Sequence, residues 1–288
     1  MWPPGVISRS WGRGNAFATE IRKRRMTAIL GIDAAWTATE PSGVALVVND
    51  GSCWRLRAVA ASYDHFLARQ DDAIARTDRP RGSFVQATAL LDAAEALGGQ
   101  VNLVAIDMPL SHAPITARRV SDNRVSSAYG ARYCGTHTPN ALRPGKISDD
   151  LKLSFEHAGY PLLTTQVSDR GLLEVYPHPA LVELTKSEKR LPYKHAKIGS
   201  YWRSDTIPIR RMKLVDVWRS IIAHLDARID GVADALAIPP IGARAWEMKA
   251  FEDMMDAVVC AWIGICVLEG DAIPYGDETS AIWIPAAR

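Results

Sequence analysis

The sequence contains no glycine-rich phosphate loop, neither G-x-x-x-x-G-K-[ST] nor G-x-G-x-x-G after a strand-like run. That removes the P-loop and dinucleotide-binding classes. It has four cysteines (Cys53, Cys134, Cys260 and Cys266) and no C-x-x-C pair, which excludes a zinc ribbon and a thioredoxin-type site. Two disulfides would add little to a chain of 288 residues, so four reduced thiols and a cytoplasmic location are expected. No apolar run approaches the ~18 residues of a membrane span. The most apolar stretch, Met254 to Leu268, carries Asp256, and no membrane partner is expected. Repeats and low-complexity segments are also lacking. What is present, 48% hydrophobic and 23% charged residues, is the composition of a folded globular chain.

The net charge of +2 is unevenly spread. Arg9, Arg13, Arg22, Lys23, Arg24 and Arg25 stand against Glu20 in residues 1–25, which leaves the remainder slightly acidic. The body is therefore no general polyanion binder. The expected organisation is a basic, flexible tail over 1–25 and one domain over 26–288.

Thr27 to Ile32 reads as a buried strand ending at Asp33, followed by strands at 42–48 and 53–60 with an Asn49-Asp50-Gly51 turn between them. Apolar spacing predicts a helix from Ser83 to Leu97, stopped by Gly98-Gly99. An apolar strand, Val101 to Ile106, then ends at Asp107. Residues 109–150 read as loops and short helical pieces. Leu172 to Tyr176 is strand-like and closed by Pro177 and Pro179. Helices are expected over 211–229 and 246–268, with a last strand at 281–284. The order gives an α/β fold with three antiparallel strands and then parallel ones, flanked by helices.

Four acids interrupt apolar elements: Asp33, Asp107, Glu174 (between Leu173 and Val175) and Asp256. Buried carboxylates are costly unless paired, hydrogen-bonded or bound to metal. Strand C-termini at one sheet edge form the natural site of an α/β fold. Asp253 shares a helix face with Asp256. Converging carboxylates call for a hard divalent cation, Mg²⁺ or Mn²⁺. Such ions suit phosphodiester displacement. Asp33, Asp107, Glu174 and Asp256 are the candidate catalytic residues, and these with Asp253 the candidate metal ligands. Two basic stretches, 113–146 and 186–213, are interleaved with aromatic residues, as a nucleic acid or nucleotide substrate requires. Arg119, Lys194, Lys197 and Arg211 are the candidate phosphate contacts.

Several of these segments together resemble the domain-of-unknown-function 429 family, described as predicted nucleases of ribonuclease H-like fold. They are GIDAAW (Gly31 to Trp36), AIDMPLS (Ala105 to Ser111), LEVYPHPAL (Leu173 to Leu181), YKHAK with Arg211, DMMDAVVCAW (Asp253 to Trp262) and the closing Ile282-Trp283-Ile284-Pro285. The resemblance implies a ribonuclease H-like mixed sheet. It is also similar to the Holliday-junction resolvase branch, which implies ligands at Asp33, at Asp107 or Glu174, and at Asp253 and Asp256. The expected function is metal-dependent hydrolysis of a short or structured nucleic acid. Its competitors are a catalytically silent nucleic-acid or protein binding module and an actin- or hexokinase-like phosphotransferase. The last is disfavoured by Ala34-Ala35-Trp36, which would crowd nucleotide phosphates. The sequence leaves the oligomeric state open.

Overall fold

The computed structural model describes residues 26–68 and 79–287. The basic tail expected at 1–25 lies outside the described residues. Strands β1 (Thr27–Asp33), β2 (Gly43–Asn49) and β3 (Trp54–Ala60) form an antiparallel meander. At its second turn, Gly51 takes a φ of 94° and its N–H donates to Asn49 Oδ1 at 2.7 Å. Helices α1 (Tyr63–Leu67) and α2 (Ala87–Ala96) precede β4 (Val101–Ile106), which lies parallel to β1. After α3 (Val120–Tyr129) and α4 (Lys146–His157), strand β5 (Gly171–Val175) runs parallel to β4. Then come α5 (Pro177–Thr185), α6 (Ile198–Tyr201), α7 (Ile207–Asp226), α8 (Val232–Ala235) and α9 (Ala245–Leu268). Strands β6 (Ala272–Gly276) and β7 (Ala281–Pro285) complete a seven-stranded sheet of order β3-β2-β1-β4-β5-β7-β6. Three antiparallel strands followed by parallel ones, flanked by helices, is the expected architecture and is consistent with a ribonuclease H-like fold.

Several local expectations shift. Helix α2 begins at Ala87, not at Ser83: the Ser83 hydroxyl is bonded to Asp64 at 2.9 Å, and the Ala87 N–H donates to Ser154 Oγ at 2.9 Å. Phe84, within the expected helix, is 74% exposed. Pro177 and Pro179 do not merely end a strand but open α5. A first helical turn has no use for their missing N–H groups. Strand β6 carries Pro274 and was not expected; it is an edge strand, where proline is tolerated.

Helix α9 is buried nearly all round from Met248 to Val267, as its apolar run predicts. It packs on β1, β2 and β4. Side chains alternate along the strands, so Ile29, Leu103, Leu173 and Val175 join the core under α9. Leu30, Ile32, Val104, Ile106 and Leu172 face a second core with α2. Two glycines let the α9 backbone come close. A Cβ at Gly31 would run into the Ala257 carbonyl, and one at Gly43 into that of Asp253. Gly43 is paired with Asp33 across the β1–β2 ladder, so this approach seats the Asp253 turn of α9 beside the end of β1. No helix among the described residues is long and apolar enough to cross a membrane.

Candidate acidic site at the sheet edge

The C-terminal ends of β1, β4 and β5 lie side by side, in register through Ile32, Ile106 and Glu174. Asp33 closes β1, and Asp107 follows β4, its N–H donating to the Ile32 carbonyl at 2.9 Å. By strand alternation both belong to the face covered by α9, whose Glu252, Asp253 and Asp256 are 2% exposed or less. Asp33 acts electrostatically on Asp107, Asp253 and Asp256, so the four lie at the same edge of the sheet.

The local charge is set by two lysines. Lys194, in the loop before α6, donates to Asp256 Oδ2 at 2.5 Å and lies 3.3 Å from Glu252 Oε1. Lys249 is ion-paired with Asp253, one helical turn away. Glu252 also accepts the His195 N–H at 2.6 Å. Two carboxylate oxygens, Asp253 Oδ2 and Asp256 Oδ1, are buried without a hydrogen-bond partner among the described residues. Burial, and then the charge of Asp33, push the carboxyl of Asp107 well above the carboxylate range. The same two causes raise Asp253, with Lys249 opposing. Burial raises Asp256 too, against Lys194. Burial works against the charge on Lys194, yet the acids, Asp256 foremost, hold its pKa well above the usual lysine value.

Glu174 belongs to the opposite strand face and is engaged elsewhere. Its two oxygens accept from Arg119 Nη1 and Nη2 at 2.6 and 2.7 Å, and Oε2 also accepts the Leu110 N–H at 2.7 Å. Arg119 gives its remaining N–H groups to Asp122 and the Leu110 carbonyl. All five guanidinium donors are thus taken within the fold, and none is left for a phosphate. Arg211 Nη1 donates to the carbonyls of Ile241 and Ala243 and ties down the loop before α9. Lys197 is exposed and makes no ion pair among the described residues. Sequence reading missed Glu252, Lys249 and Arg190. The first two had a signal, since each stands four residues before an acid of the cluster, Asp256 and Asp253.

Two cavities open on this edge. One of about 570 Å³ is lined by Asp33, Asp253, Lys249, Trp36 and Arg143. The other, about 300 Å³, is lined by Asp107, His178, Arg190, Lys197 and Glu252. Trp36, His137 and Lys194 line both. Among the described residues no three His, Cys, Asp or Glu side chains are grouped so that they could hold a metal ion. The donor chemistry nevertheless suits a hard cation: the available ligands are oxygens, and two of them are buried without a partner.

Raised carboxyl pKa values have a consequence for stability. The folded protein holds protons that the unfolded chain has released above its ordinary value of 3.8. Stability therefore falls as pH rises from about 4 through the raised folded values. The lysine contribution is full below 10.5 and lost only above it. His178, whose pKa is driven down by burial and Arg190, acts in the other direction. In chelator, Asp107→Asn should flatten the decline of melting temperature with pH relative to wild type. Parallel pH profiles of the two proteins would contradict this account.

The fold and its edge define a mixed α/β protein with buried carboxylates at the C-terminal ends of parallel strands. Residues 155–280 match the model of the family described as "Protein of unknown function (DUF429)", which supports the resemblance drawn from the motifs. The matched stretch contains Lys194, Glu252, Asp253 and Asp256, while Asp33 and Asp107 precede it. No curated protein and no solved structure matches the chain.

Proposed function

We propose that the chain is a divalent-cation-dependent phosphodiesterase acting on a short or structured nucleic acid. The observation that carries this reading is the set of mutually repelling acids Asp33, Asp107, Asp253 and Asp256, with two buried carboxylate oxygens unpartnered. Asp33, Asp253 and Asp256 would have to draw together to hold the cation, with Asp107 beside them. Mg²⁺ or Mn²⁺, when bound, would polarise phosphoryl oxygens as a Lewis acid and make water a stronger nucleophile. Binding would release the protons that the crowded carboxyls hold. Lys194 lines both cavities, so its ammonium would turn from Asp256 to the incoming phosphate. Glu174 and Arg119 would hold the neighbouring strand end and loop in place.

A second reading has an observation of its own. Lys194 and Lys249 already neutralise much of the cluster, as they would in a metal-free binding module. The two readings part in one experiment. Labelled single strands, duplexes, junctions and RNA–DNA hybrids are incubated with the full chain and Mg²⁺, Mn²⁺ or chelator. Cutting is expected only with metal. Saturating Mn²⁺ should raise the melting temperature by several degrees, since ligand at about 100 times its Kd adds ~2.7 kcal/mol. No cutting together with no Mn²⁺ shift leaves the binding module.

A further inference from the structure

The smaller cavity has a chemistry of its own. His178 is 8% exposed and sits between the rings of Tyr176 and Tyr193, with centroids 5.4 and 5.3 Å away. Its Nε2 lies 2.6 Å from Arg190 Nη2. A guanidinium can only donate, so Nε2 accepts and the ring proton sits on Nδ1. That tautomer agrees with the neutral state that burial and Arg190 impose on the ring. Among the described residues the Nδ1–H has no acceptor, and neither has the buried Arg190 Nε–H. Burying donors without partners destabilises the fold unless a ligand satisfies them.

Three of the four acids that line this cavity are already compensated. Asp122 and Glu174 are both bound by Arg119. Glu252 accepts the His195 N–H and lies near Lys194. Arg190 and Lys197 have no carboxylate partner among the described residues. What is left over is positive charge and unspent N–H donors. Arginine with additional N–H groups is the usual receiver of a phosphate dianion.

We infer that this cavity receives the terminal phosphomonoester of a nucleotide strand, so that the protein engages its substrate by an end. The inference rests on the phosphodiesterase reading only in taking the neighbouring acids as the reaction centre. About 300 Å³ accommodates a terminal phosphate with part of its nucleotide and is too small for a duplex. Trp36 stands between the two cavities, its ring 6.0 Å from the Arg143 guanidinium and 6.4 Å from the His137 ring. A strand anchored at Arg190 would pass this aromatic platform and bring its next phosphodiester towards Asp33 and Asp253.

Binding in chelator, by calorimetry, tests the pocket apart from catalysis. The probes are inorganic phosphate and one single-stranded tetranucleotide with a 5′-phosphate, a 3′-phosphate or hydroxyls at both ends. Wild type should bind one phosphorylated form at least tenfold more tightly than the hydroxyl form. Arg190→Gln should abolish that preference, Lys197→Ala should reduce it severalfold, and Asp33→Asn should keep it. Lys197 is exposed, so its variant remains informative if Arg190→Gln does not fold. Equal binding of all three strands by wild type, or a preference that survives both basic substitutions, overturns the inference. An intact preference without metal-dependent cutting would sink the phosphodiesterase reading alone.

Discussion

Asp33→Asn should lower metal-dependent cutting by about a thousandfold or more, roughly 4 kcal/mol of transition-state stabilisation. It should at the same time make the protein more stable in chelator. The two effects have one origin. Asp33 is the common like-charge neighbour of Asp107, Asp253 and Asp256. Without a cation its charge raises the cost of ionising them, and each pKa unit relieved is worth ~1.4 kcal/mol. With a cation bound, the same charge would serve as its ligand. The wild-type gain in melting temperature with Mn²⁺ should shrink in the variant, because its chelator baseline is higher and its affinity lower. A variant that melts like wild type in both conditions would show that Asp33 takes no part in the cluster.

Glu174→Gln should cost about 3–5 kcal/mol of folding stability, the range for removing one partner of a buried ion pair. Glu174 is 3% and Arg119 9% exposed, so water cannot replace the lost charge. Asp122 would be left to face the guanidinium alone, and its Oδ2 already accepts the Arg119 N–H in the capping box of α3. The Leu110 N–H would lose its charged acceptor. Urea unfolding measures the loss. The same variant distinguishes the two candidates for the middle ligand. If Glu174 held the cation, Glu174→Gln would erase the Mn²⁺ response. With Asp107 in that place, Glu174→Gln lowers stability while the Mn²⁺ increment persists.

How much of this could be read from the chain differs between elements. The strands at β1, β2, β3 and β4 and the buried helix α9 were legible, because apolar runs and period are properties of a short window. So was the arrival of Asp33 and Asp107 at one edge, which follows from two parallel strands ending in an acid. The roles of Glu174 and Arg119 were not. Both sit in stretches whose composition suits a site, and only the pleat and a partner 55 residues away decide that they neutralise one another. Lys194 lay in a basic segment that suggested an outward phosphate contact, whereas its ammonium reaches Asp256 across 62 residues. Helix α5 was hidden by its prolines, which mark a stop or a first turn with equal force.

Helix α9 also bears on the order in which the molecule comes into being. It covers the face of β1, and Asp253 and Asp256 meet Asp33 from nearly the far end of the described chain. During synthesis the meander and its neighbours emerge long before the helix that completes them. Contacts of such separation are slow to form, because loop closure precedes their reward. Until α9 arrives, the face of β1 that carries Ile29 has no cover and the carboxylates have not met. An interrupted translation product ending before residue 245 would therefore expose apolar surface and lack the acidic cluster. The acidic centre exists only in a chain that has been finished almost to its last strand.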